Sequence, residues 1–213
     1  MKKLLALLFS IFLLSSPSVF ADDISDFEIE GISIGDSLLD YMTEDEILKE
    51  IERKLKHNDY SYLNEPDKYV EVYLRKDLSV FDFMSFLIKH NPTSKYVTNT
   101  NDENEKYIIL SIRGGIDYVE DFNSCMQKRN EIDAELSIIF KNAKREESTS
   151  KSPNDPSGES FAYHIAYYFK SGALATIYCL DFEENLRIKN NWNEGLSIWI
   201  RTPEIVKWYK DTQ

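Results

Sequence analysis

The sequence predicts an α+β fold: a single domain over residues 22–213, built on a largely antiparallel sheet. One long helix, about 117–144, packs on that sheet, with an N-terminal helix and a short C-terminal helix besides. Three observations predict it. Short segments rich in aromatic and β-branched residues recur along the chain, as strands do. The connections between them are turn-like and too short for the crossover helices that a parallel sheet needs. Helical periodicity occurs in only a few places, and no internal repeat is present.

The elements follow in order. Met1-Lys2-Lys3, the apolar run LLALLFSIFLL (4–14) and the small residues Val19 and Ala21 read as a secretory signal peptide over 1–21, cleaved after Ala21. The run is too short for a membrane span, which takes about 20 residues, although an uncleaved N-terminal anchor is the alternative. The acidic DDISDFEIE (22–30) is a lead-in. In MTEDEILKEIERKLKHN (42–58), Thr43 and Glu46 form a capping box, and Ile47, Leu48, Ile51 and Leu55 repeat at helical spacing, giving a helix over about 43–56. YVEVYLR (69–75), SVFDFMSFLIK (79–89) and KYIILSIRG (106–114) are strands, and 91–105 supplies the turn between the last two. Along the long helix Phe122, Cys125, Ile132, Leu136 and Ile139 share one face, so Cys125 looks inward. The polar stretch 145–160 reads as a mobile loop. SFAYHIAYYFK (160–170) and ALATIYCLDF (173–182) form a hairpin around Ser171-Gly172, with Ala173, Ala175, Ile177 and Cys179 on one face. GLSIWIRT (195–202) is a further strand, and Pro203 opens the last helix, 203–210.

Charge and cysteine usage bound the function. The full chain carries a net charge of −12, and removal of Lys2 and Lys3 with the signal leaves 23 basic against 37 acidic residues. Such a surface repels phosphate backbones and anionic headgroups, so neither nucleic acid nor a membrane surface is an expected partner. No later segment is apolar for long enough to insert stably in a membrane. The expected location is the periplasm, and the expected partner is a periplasmic protein or a small ligand. An even cysteine count in an exported chain predicts a Cys125–Cys179 disulfide; two free thiols are the alternative. The absence of a CxxC pair argues against thiol exchange as a function.

Candidate chemistry is sparse. Residues 32–41, ISIGDSLLDY, resemble the first block of the GDSL esterases and lipases, in which a strand runs into Gly-Asp-Ser-Leu. That resemblance implies a serine esterase with Ser37 as nucleophile and its amide in the oxyanion hole. A serine needs a base and the base an orienting group, which the family draws from a C-terminal Asp-x-x-His. Here Lys54, Leu87 and Phe161 stand three residues before His57, His90 and His164, so His164 is at best a base without that block. The family's Gly-x-Asn-Asp has only a partial echo at Ser152-Pro153-Asn154-Asp155. The structural reading of the same letters has Gly35 turning out of a strand and Asp36 or Ser37 capping a helical turn. The segment IEGISIGDSLLDY (29–41), with Cys125 in a helix and Cys179 in a strand, is also similar to small exported proteins of marine bacteria. That resemblance implies an envelope setting and no particular activity.

No metal site or cofactor is predicted. There is no HExxH, and residues 99–110 lack the glycine and the final glutamate of a calcium loop. Gly114-Gly115 is not a phosphate loop. Asp181, Glu183 and Glu184 read as a solvated turn. The unusual resource is aromatic: 13 Tyr, 12 Phe and 3 Trp. Tyr163, Tyr167, Trp192, Trp199 and Trp208 are core and sheet-face packing on the first reading, and a concave site for a sugar or peptide on the second. The function expected from the sequence is thus a non-enzymatic binding or envelope-associated protein, with the Ser37 esterase as the alternative.

Overall fold

The computed structural model describes residues 24, 27–57, 65–66, 68–89, 106–190 and 192–211. The expected signal peptide, the turn at 91–105 and its calcium-like residues lie outside the described residues, apart from Lys106 onward. The fold is α+β, with a seven-stranded sheet in the order β3-β4-β5-β9-β8-β7-β6, every neighbouring pair antiparallel. The strands are β1 (Glu28–Ile29), β2 (Ile32–Ser33), β3 (Tyr69–Leu74), β4 (Phe83–Lys89), β5 (Ile109–Asp117), β6 (Lys144–Lys151), β7 (Phe161–Tyr168), β8 (Leu174–Asp181) and β9 (Gly195–Arg201). β1 and β2 form a separate small hairpin. The helices are α1 (Glu44–His57), α2 (Phe122–Ile139), α3 (Glu184–Asn190) and α4 (Pro203–Lys210).

One sheet face carries the main core. Val70, Val72, Met84, Phe86, Ile112, Ile198, Ile200, Ile177 and Ile165 point the same way and bury against Ile47 and Ile51 of α1 and Ile132 and Leu136 of α2. The period-two alternation of the strands sets this face. On it Cys125 of α2 and Cys179 of β8 form the expected disulfide, with Cα atoms 6.1 Å apart, and no described cysteine is free. α4 covers one end of the opposite face, where Ile205 and Trp208 pack on Tyr69 and Leu87. Thr202 caps α4 by accepting from the Ile205 amide, and Thr43 and Glu46 form the expected capping box of α1. Among the described residues no helix is long and apolar enough to cross a membrane.

Three expectations are corrected. The stretch 145–160 is not one loop: its first half is the edge strand β6, exposed along its whole length. A strand wetted on both faces shows no apolar alternation, so the sequence hides it. Ion pairs fix it instead, from buried Arg129 to Glu147 at 2.7 Å and from Asp133 to Arg145 at 2.8 Å. The long helix is also shorter than 117–144, because β5 runs to Asp117 and Asp121 caps α2 through the Ser124 amide. Finally, residues 183–190 hold the unexpected α3. Glu183 caps it by accepting from the Leu186 amide at 2.9 Å, and Glu184 pairs with Arg187 within it.

The β1–β2 turn is fastened by Glu30, whose carboxylate accepts from the Ser79 hydroxyl and from the amides of Ser79, Val80 and Phe81. Burial pushes its pKa up, but these hydrogen bonds outweigh burial and hold it below the usual value. A lowered carboxylate pKa adds stability above the unfolded value, and that stability is lost as pH falls through the folded one. Glu30→Gln is therefore expected to cost about 1 kcal/mol at pH 7. The gap to wild type should close below pH 4.5, as read by urea unfolding at a series of pH values.

Candidate functional site

The Gly-Asp-Ser-Leu segment is zipped onto the start of β5. Gly35 donates its amide to the Ile109 carbonyl at 2.9 Å, Ile109 donates back to Asp36, and the Leu38 amide reaches the Tyr107 carbonyl. Gly35 has φ +95°, a conformation that disfavours any side chain. The Asp36 carboxylate accepts from the Ser33 amide at 2.8 Å and from the Tyr41 hydroxyl at 2.6 Å. Ser37 caps the short 3-10 turn Leu38–Asp40: its buried hydroxyl donates to the Lys106 carbonyl at 2.7 Å and accepts from the Leu39 amide. His164 lies elsewhere. It stands on β7, three strands removed from β5 and so roughly 14 Å across the sheet. Its Nε2 is 3.3 Å from the Ser150 hydroxyl and its ring faces Tyr178. Burial, with Arg201 and Arg129 nearby, pushes its pKa down, so the imidazole is neutral at pH 7. The nucleophile and base of the esterase alternative are not brought together.

The aromatic candidates are scattered. Tyr163 stacks on Phe122 of α2, and buried Tyr167 donates its hydroxyl to Asp133. Trp199 donates to the Ser111 hydroxyl at 2.6 Å beneath α4, and buried Trp208 packs on Tyr69. Of the five, Trp192 lines the cavity on the second sheet face and the other four do not.

That cavity, of about 530 Å³, occupies the part of the second sheet face that α4 leaves uncovered. Its floor is built by alternation: Tyr73 of β3, Phe83 of β4, Arg113 of β5, Leu180 of β8, Ala162 of β7 and Ser150 of β6 all point to this side. Phe83 lies flat across β5 because Gly115 has no side chain there, and a Cβ on Gly115 would collide with the Phe83 ring. Gly114 leaves the same room for Phe81 on the core side. The glycine pair is thus a ring seat and not an anion loop.

One wall is Phe182 and Trp192, with rings 4.9 Å apart, followed by Asn193. α3 sets this wall, since the Trp192 amide bonds the Arg187 carbonyl and Arg187 also reaches buried Glu194 at 3.3 Å. Burial and the neighbouring Asp181 carboxylate push the Glu194 pKa up. The other wall is Ser152–Asn154, held by Asp155, whose carboxylate accepts from the Ser157 hydroxyl and from the amides of Ser157, Glu159 and Ser160. Those bonds, led by the Ser157 hydroxyl, hold Asp155 far below the usual carboxylate range.

Three cations reach this cavity: Arg75, Arg113 and Lys151. Arg75 stacks over Tyr73 at 4.8 Å, while both arginines flank Phe83. Arg113 also donates to the Ser197 hydroxyl at 3.2 Å. Sequence reasoning missed this set, since Arg75 and Lys151 sit at strand ends and Arg113 in a strand, without a local motif. The paired glycines in β5 were the available signal. Among the described residues no group of side chains is arranged to hold a metal ion.

Compared with family models, curated proteins and solved structures, the chain matches none.

Proposed function

We propose that this chain is an exported, periplasmic binding protein whose ligand lies in the cavity on the uncovered sheet face. The observation that carries the reading is an asymmetry. One face of the sheet is sealed by α1 and α2, while the other leaves about 530 Å³ open, floored and walled by aromatic rings. Ligand sites have this size and this mixture of rings with a few polar groups. The signal-like N-terminus supports export, and the disulfide suits an oxidising compartment. Ser37 serves the fold by capping a turn, which supports binding over hydrolysis.

The test is a thermal-shift screen of the purified, disulfide-bonded protein against sugars, short peptides and small organic acids, with Trp192→Ala in parallel. A true ligand at a hundred times its Kd stabilises by about 2.7 kcal/mol, and that gain is expected to vanish in Trp192→Ala. No shift with any compound, or a shift that Trp192→Ala retains, would overturn the reading.

A further inference from the structure

Resting on that reading, we infer that the ligand of the cavity is a neutral saccharide. A pyranose ring lies with its C–H face on Trp192 and its hydroxyl rim on Asn193, Asn154, Ser150 and Ser152.

The floor decides what kind of contact a ligand can make. It is a sheet face, whose amides and carbonyls are engaged in the ladders from β3 across to β6. Over the floor a ligand therefore meets side chains and not the open strand edge that takes up an extended peptide. The side chains on offer are of two kinds. The first are rings: Trp192 and Phe182 are half-buried, with centres 4.9 Å apart at 45°. Phe182 backs the indole, and the Trp192 amide is tied to the Arg187 carbonyl at 3.0 Å, so this wall is in place before a ligand arrives. The second are amides and hydroxyls, which each donate and accept. Asn193 gives one N–H to the Asp117 carboxylate at 3.2 Å, which fixes the plane of its amide. The Ser150 hydroxyl lies 3.3 Å from Nε2 of His164, and Ser152 and Asn154 stand on the wall that Asp155 holds.

A sugar matches both kinds. Each of its hydroxyls donates and accepts, as the amides and serines do. The C–H groups on one side of a pyranose form an apolar plate with a weak positive charge, which the negative face of an aromatic ring attracts. The cations nearby belong to the floor. Arg75 lies over Tyr73 at 4.8 Å and beside Phe83 at 5.8 Å, Arg113 bonds Ser197 through Nε and Nη2, and Lys151 lies 5.6 Å from the Phe161 ring centre. They repel a cationic ligand. The tail of a lipid would leave these charges and amides without water or a partner.

Calorimetric titrations of the disulfide-bonded protein would use cellotriose, laminaritriose, mannotriose and chitotriose, with glucose beside glucuronate. The expected result is binding of at least one neutral trisaccharide with the same affinity in low and high salt, and glucuronate no tighter than glucose. Magnetisation transferred from protein to bound sugar should be strongest at the C–H protons of one ring face. Trp192→Ala should weaken the binding about tenfold, and Trp192→Phe, which keeps a ring, should restore part of it. Asn154→Ala combined with Asn193→Ala, both at exposed positions, should also cost about tenfold. Full affinity in that double variant, or glucuronate bound tenfold tighter than glucose, would overturn the neutral saccharide and leave the binding reading standing. So would silence from every saccharide beside a peptide or organic acid whose thermal shift is lost in Trp192→Ala. Silence from all compounds, or a saccharide bound with full affinity by Trp192→Ala, would overturn both.

Discussion

Replacing Cys125 and Cys179 by alanine is expected to lower the stability of the protein by about 4 kcal/mol, the chain-entropy value for a loop of this length. The bridge closes 54 residues, from the first turns of α2 to the penultimate turn of alternation in β8. Everything between those points is tied by it: the rest of α2, the edge strand β6, the Asp155 turn and strand β7. In a domain of this size the loss corresponds to a melting temperature lower by about 10 °C. Calorimetry of the oxidised protein, the reduced protein and the double variant measures it. The reduced and double-variant proteins should melt together. A shift below about 1 °C would mean that the unfolded chain is already confined in this region, contrary to the entropic account.

The second large effect is expected at Phe140. This residue closes the C-terminus of α2, with its amide bonded to the Leu136 carbonyl, and is 1% exposed. Its ring is met edge-on by Phe27 at 5.3 Å, Tyr167 at 5.6 Å and Phe169 at 4.9 Å. Those partners come from the N-terminal segment, from the end of β7 and from the β7–β8 turn, so relaxation to fill the space would have to move both of these regions along with α2. Phe140→Ala should therefore cost about 4 kcal/mol, within the range for a large aromatic truncated in a core. Urea unfolding should show a lower midpoint at unchanged slope. A cost under about 1.5 kcal/mol would show that the rings collapse onto the vacancy.

Most of the fold was legible because the signals that specify it are local and periodic. The face shared by Ala175, Ile177 and Cys179 and the inward Cys125 together anticipated both the α2 packing and the disulfide. The capping box at Thr43 and Pro203 after Thr202 marked two helix starts to within a residue. β6 was illegible because both its faces are wet and its partners are charges on α2, contacts that no local pattern encodes. α3 was illegible because seven residues carry too little periodicity and no buried face. The site was legible only in fragments. Trp192 stood among the aromatic candidates, but Tyr73, Phe83 and Arg113 meet only because β3, β4 and β5 are laid side by side, and register is invisible to a reading along the chain. Gly115 was visible as half of a glycine pair, and its meaning depended on which ring lay opposite.

The wet edge strand also governs what happens when two copies collide. A sheet with an unpaired border invites another strand to add to it, and a long apolar border would let copies polymerise. Here the far border is Lys144-Arg145-Glu146-Glu147, and the opposite border strand β3 is flanked by α1, whose Lys54 holds Glu71 at 3.1 Å. An incoming strand at β6 would have to dehydrate alternating charges already committed to Asp133 and Arg129. The ion pairs that hold β6 to its own helix thus make this border of the seven described strands a costly one for a second copy to extend.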